Sequence, residues 1–117
     1  MQNFRNLKVW QLGIDIVTKS YQLAKYLPSQ EKYGIISQLT RAAVSIPSNI
    51  AEGSSRKSEK EFHYFLEISL GSTYEVETLL LVIEKLSLAK TQVKELQDMV
   101  VEEQRMLHGL MKRARTQ

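Results

Sequence analysis

Ala42-Ala43-Val44-Ser45-Ile46-Pro47-Ser48-Asn49-Ile50-Ala51-Glu52-Gly53 has the small and apolar composition of a closely packed helix, with a proline inside it. An interior proline removes one backbone hydrogen bond and crowds the preceding turn, costing ~3 kcal/mol unless the surroundings compensate. Ser45, Ser48 and Asn49 flank the proline, and polar side chains of this kind satisfy freed backbone groups at kinks. The stretch therefore predicts a helix kinked before Pro47 and shaped for one packing arrangement. Gly53 is its expected terminator, since glycine takes the left-handed conformation at no steric cost.

Working outward, a helix is expected over about 30–54, preceded by Leu27-Pro28-Ser29, which closes a first helix over about 7–27. In that first helix Leu7, Trp10, Ile14, Val17, Tyr21 and Ala24 recur at alternating steps of three and four, the spacing of a packed seam. Val9, Leu12, Ile16 and Leu23 form a second stripe. A helix at the edge of a monomer needs only one apolar stripe, so two imply a second buried surface. Ser58 and Glu61 have capping-box spacing for a third helix over about 58–87, with Phe62, Phe65, Ser69, Ser72, Val76, Leu79, Ile83 and Leu86 on one seam. Thr91 opens a fourth helix over about 91–114, lined by Val93, Leu96, Val100, Leu107 and Leu110 and widened by Met99 and Met106.

The chain of 117 residues suits one domain with a single core. Five glycines and two prolines leave little turn chemistry for an all-β fold. Short connections between long helices enforce antiparallel neighbours, so the expected fold is all-α: an up-down-up-down four-helix bundle spanning 1–117. Symmetry about the Gly53–Ser58 turn sets facing residues of helices two and three at numbers summing to about 111, with Ala42 opposite Ser69 and Leu39 opposite Ser72. The residues from about Arg113 onward are expected to fray.

The absence of cysteine removes disulfides, thiolate catalysis and cysteine-ligated zinc. Met1-Gln2-Asn3-Phe4-Arg5 lacks a signal-peptide pattern, and the longest apolar run, Leu79-Leu80-Leu81-Val82-Ile83, is too short to span a bilayer. These features predict a cytoplasmic protein with no membrane partner. Glu59, His63 and Glu67 are spaced by four along one helix, a potential metal-binding face. The reading as an exposed charged face outweighs it, since the ligand count is low and the Glu-x-x-His pairs of dimetal bundles do not occur here. No metal or cofactor is expected. The serine cluster around Pro47 has no histidine nearby in sequence to act as its base, and Gly53-Ser54-Ser55-Arg56-Lys57 lacks the first glycine of a phosphate loop. The sequence thus predicts a protein that is not an enzyme.

Two polar groupings remain. Arg41, Ser45, Ser48, Asn49 and Glu52 lie on one stripe of helix two, and Glu75 falls among apolar residues of helix three. They form either a solvated face or a hydrogen-bonded set at a seam that fixes register, with Glu52 the expected buried acid. The net charge of +3 is unevenly spread. Residues 1–30 and 105–117 carry +7 and the middle carries −4. The bundle topology gathers Arg5, Lys8, Arg56, Lys57, Lys60, Lys112, Arg113 and Arg115 at one pole. Such a pole either complements helix dipoles and aids solubility or forms a phosphate-binding surface for RNA or DNA.

Asn3-Phe4-Arg5-Asn6-Leu7-Lys8-Val9-Trp10, Leu27-Pro28, the Arg41–Gly53 block and Phe62-x-x-Phe65-Leu66-x-Ile68-Ser69-x-Gly71-Ser72-x-x-Glu75 occur in that order. Together they resemble the four-helix-bundle proteins encoded in intervening sequences of bacterial 23S ribosomal RNA genes. The resemblance implies assembly into a cyclic homopentamer, which accounts for the surplus apolar stripes. The accessory protein of diversity-generating retroelements looks like a relative, a basic pentamer that engages a reverse transcriptase and nucleic acid. A protein partner, RNA or DNA are the partners so implied beyond the chain itself. The resemblance supplies no catalytic residues.

Overall fold

A computed structural model describes residues 3–31 and 33–116, with side chains through Ala114. Four helices make up the fold: α1 Lys8–Ala24, α2 Ile35–Ser54, α3 Glu59–Lys85 and α4 Lys90–Thr116. Single 3-10 turns at Phe4–Asn6 and Ser29–Glu31 precede α1 and α2. The body measures 46 × 22 × 20 Å, a rod about as long as its longest helices.

Side-chain contacts fix the relative directions of the helices. Ser69 Oγ of α3 donates to the Ile46 carbonyl of α2 at 2.9 Å, and Ser72 Oγ donates to Ser45 Oγ at 2.7 Å. Between α3 and α4, Tyr74 meets His108, Gln104 donates to Glu77, and Gln97 donates to Glu84. Lys19 of α1 pairs with Glu95 of α4 at 2.7 Å, while Gly13 lies against Glu103. Each of these pairs of helices is antiparallel. Leu39, Ile46, Ile50, Leu66, Val76, Leu80, Ile83, Leu96, Val100 and Leu107 are buried along the axis. Each fully buried side chain of this kind contributes roughly 1.5–3 kcal/mol relative to exposure.

Several local expectations are corrected. α2 begins at Ile35, because Pro28 and the following residues make a 3-10 turn and a further turn at Tyr33–Gly34 first. Pro47 lies inside this helix. Gly53 lies inside α2 and no glycine has positive φ, so it is not a left-handed terminator. Its role is close approach: a Cβ there would stand 2.7 Å from Phe65 Cβ and 3.1 Å from Phe62 Cδ1. This approach draws α3 along α2, so facing residue numbers sum to about 116 rather than 111. Ser69 meets Ile46, not Ala42, and Ser72 meets Ser45, not Leu39.

The termini of the other helices follow their capping chemistry. Ser58 Oγ accepts from the Glu61 amide and donates to Glu61 Oε1, both at 3.1 Å. At the end of α3, Ser87 N donates to the Glu84 carbonyl and Leu88 N to the Ile83 carbonyl, a Schellman closure. Ser87 there has φ 60°, and Ala89, one residue before α4, has φ 46°. Helix α4 continues to Thr116.

Helix α1 packs on a different face from the one its strongest periodicity indicates. Its inward row is Val9, Gly13, Ile16, Ser20 and Leu23, all buried, and Leu27 just beyond the helix is buried too. On the outer row Ile14 is 38% exposed and Tyr21 53%, while Trp10 and Val17 are half-buried. The inward row includes Gly13, where α1 comes close to α2 and α4, and a buried serine, Ser20. It therefore reads as less hydrophobic than the row left outside.

Candidate functional site

The start of α1 meets the ends of α2 and α4. Trp10 of α1 and Ala51 of α2 line a common groove, and a second groove joins Leu7 and Lys8 to Arg105, Met106, Gly109 and Arg113 of α4. Gly109 keeps this second groove open beside the Arg113 side chain, and its volume is about 370 Å³. Lys8, Lys112 and Arg113 are exposed here, and Arg5 is exposed with its guanidinium 5.5 Å from the Phe4 ring centroid. Arg105, absent from the sequence-based set, belongs to this surface. Its Nε donates to Glu102 Oε1 at 2.9 Å, and this hydrogen bond holds the Glu102 carboxyl below its ordinary range. Lys57 and Lys60, on and just after the α2–α3 turn, are exposed. The side chain of Arg115 lies outside the described residues.

Arg56 differs from the other cations at this end. It pairs with Glu52 one turn back and lies 4.8 Å over the Phe65 ring, with its Nε buried. This is the geometry of a side chain that ties the α2–α3 turn to the bundle. The expectation of Glu52 as the buried acid is corrected accordingly: its side chain is 49% exposed beside Arg56.

The remaining polar residues of the α2 stripe divide into two groups. Asn49 Nδ2 donates to the Ser45 carbonyl at 2.8 Å and to Ser45 Oγ at 2.9 Å, while Ser72 reaches the same hydroxyl from α3. This set is half-buried or buried and sits at the α2–α3 seam. Arg41, Ser48 and Glu75 are exposed and take no part in it.

An apolar groove of about 260 Å³ runs over the outside of α1 and α2, lined by Trp10, Ile14, Val17, Val44, Pro47 and Ala51. Pro47 forms part of its floor, which gives the interior proline a role at the surface as well as in the core. Hydrophobic residues at this spacing on two adjacent helices form a continuous apolar face.

No catalytic constellation assembles among the described residues. His63 Nδ1 lies 2.9 Å from Glu67 Oε1, and His108 Nε2 lies 3.3 Å from the Tyr74 hydroxyl; both pairs are on the outer surface. No group of three or more metal-ligating side chains converges among the described residues, and no helix there is long and apolar enough to cross a membrane. The most unusual ionisable group is Glu103 of α4, which is fully buried with neither carboxyl oxygen hydrogen-bonded. Its signal in the sequence is a gap: Val93, Leu96, Val100, Leu107 and Leu110 step by three and four with one place missing, and Glu103 occupies it.

A four-helix bundle with a basic end, an outer apolar face and a hydroxyl-rich α2–α3 seam belongs to the class of small helical-bundle proteins. Within that class the chain belongs to the 23S rRNA-intervening sequence protein family, which matches residues 5–109. It is also similar to the crystal structure of a protein of unknown function from the S23 ribosomal protein family of Bacteroides thetaiotaomicron VPI-5482. That similarity has a TM-score of 0.80 and 24% identity, covering 89% of this chain and 98% of the other. It establishes the shared fold. No curated protein matches the chain.

Proposed function

We propose that the chain is a non-enzymatic, homo-oligomeric helical module, a pentamer, whose basic end contacts the phosphate backbone of RNA or DNA. The observation that carries the oligomeric part is the apolar face of Trp10, Ile14, Val17, Val44, Pro47 and Ala51, on the outside of the bundle. A stable soluble chain gains by covering such a face, and a second copy supplies a matching apolar surface. Family membership supports the same reading.

Support for backbone contact comes from the exposed Arg5, Lys8, Lys57, Lys60, Lys112 and Arg113 around one end. Cations on flexible stems release counterions from nucleic acid without reading sequence. Cyclic assembly multiplies this basic end around a ring. Arg56 is excluded from the contacting set because its guanidinium is committed to Glu52 and Phe65.

Binding of generic duplex DNA and structured RNA, measured across a salt series, tests this reading. Binding at low ionic strength that weakens as salt rises is expected. Neutralising Lys8, Lys57, Lys60 and Lys112 together flattens the salt slope by about one unit for each phosphate no longer neutralised. Absence of salt-dependent binding at low ionic strength overturns the nucleic-acid part. The apolar character of the α1–α2 groove favours a second reading, a scaffold for another polypeptide. Capture of a protein that survives nuclease and high salt would select that reading.

A further inference from the structure

Glu103 completes the inward row of α4, between Val100 and Leu107, at a place where every other member of the row is apolar. Its Oε2 lies 3.2 Å from the position a Cβ on Gly13 would take, and the same point is 3.3 Å from Pro47 Cβ and 3.4 Å from Ile46 Cγ2. Helices α1, α2 and α4 therefore meet at Gly13, beside this carboxyl. Neither carboxyl oxygen has a donor, and at the Gly13 junction beside it Gly13 has no side chain, Ile46 is apolar, and Pro47 has no amide hydrogen.

Charges do not compensate for the missing donors. Asp15 of α1, Arg41 and Glu52 of α2, and Glu75 and Glu77 of α3 are exposed, and Lys19 of α1 is turned to Glu95. The charge that acts on Glu103 is that of Glu102 on its own helix, which has the same sign. Burial first and this repulsion second push the carboxyl up to about 8. An isolated ionised carboxylate in such surroundings is strongly disfavoured, and the group takes a proton instead.

We propose that Glu103 is a proton-operated latch: as a neutral acid it closes α4 onto Gly13 of α1 and Pro47 of α2, and loss of its proton loosens that three-helix junction. The consequence reaches the surface through Pro47, which packs with the Glu103 carboxyl around Gly13 on one side and floors the outer groove on the other. Trp10, the sole tryptophan, lines that groove and reports on it by fluorescence. The latch itself is a property of one chain. Its effect on assembly rests on the self-association reading above.

The test compares wild type with Glu103→Gln, which keeps the shape and cannot ionise. The Trp10 emission of the folded wild type is expected to shift with a midpoint near pH 8, independently of protein concentration, and Glu103→Gln abolishes the shift. A midpoint that moves with concentration assigns the transition to assembly and overturns the latch while leaving self-association intact. Direct titration of the Glu103 side-chain carbon by NMR in the wild type settles the matter even if the variant folds poorly. A midpoint there in the ordinary glutamate range, or identical emission profiles for the two proteins, overturns the proposal.

Discussion

Gly13 of α1 and Glu103 of α4 approach so closely that a methyl group on the glycine would stand 3.2 Å from the carboxyl oxygen. Alanine is the better helix former by about 1 kcal/mol. Overpacking at an approach this tight costs roughly 1–3 kcal/mol. Gly13→Ala is therefore expected to destabilise the fold by about 1 kcal/mol net in urea unfolding. In a Glu103→Ala background the same substitution no longer clashes with the carboxyl, and the two changes couple by roughly 1 kcal/mol. Additive effects would contradict the close approach.

Stability depends on pH through Glu103 with a definite sign. The folded state raises this acid from its ordinary value of 4.5 to about 8, so folding takes up a proton between those values. The contribution is fully present below about pH 4.5 and is lost progressively as pH rises to about 8. Relative to Glu103→Gln, wild-type unfolding free energy falls by about 1.4 kcal/mol per pH unit across that window and levels off above it. Denaturant titrations of both proteins at several pH values measure the difference.

The α2–α3 seam is sensitive to volume at Ser69, whose hydroxyl donates to the Ile46 carbonyl from a fully buried position. Ser69→Ala is expected to cost about 1 kcal/mol, the net value of one hydrogen bond. Ser69→Val adds bulk where the backbones are close and costs roughly 1–3 kcal/mol more. Gly53→Ala belongs with the second case, since its Cβ would meet Phe65 Cβ at 2.7 Å. Thermal unfolding ranks the three, and a harmless Gly53→Ala would contradict the seam geometry.

The α3–α4 connection carries the opposite opportunity. Ser87 and Ala89 both have positive φ, and neither is glycine. A left-handed conformation costs an L-residue roughly 1–2 kcal/mol, part of which glycine gives back as unfolded-state entropy. Ala89→Gly is expected to stabilise the protein by roughly 0.5–1 kcal/mol, read as a rise in Tm.

The bundle itself was legible in the sequence because helix periodicity, short connections and the Ser58–Glu61 cap all pointed one way. What escaped followed from close approach between helices. The inward row of α1 contains Gly13 and Ser20, so the stronger outer stripe of Trp10, Ile14 and Val17 looked like the core seam. Gly53 reads as a helix terminator by residue type, whereas its place against Phe62 and Phe65 depends on the register of a partner helix. That same approach displaced the pairing of Ser69 and Ser72 along α2. Glu103 escaped because charged residues inside an apolar row are normally solvated, and its burial depends on Gly13 and Pro47 arriving from other helices. The diversion of Arg56 to Glu52 and Phe65 depended on side-chain geometry alone.

On the proposed assembly, the apolar face over α1 and α2 is covered by further copies of the chain. Sedimentation or light scattering at micromolar concentration tests it directly, on wild type and on Val17→Glu, which places a charge in the groove. The expected species has several times the 13.5 kDa chain mass, five times for a pentamer, and Val17→Glu dissociates it into folded smaller species. A wild-type mass of one chain, or an assembly indifferent to Val17→Glu, would contradict it.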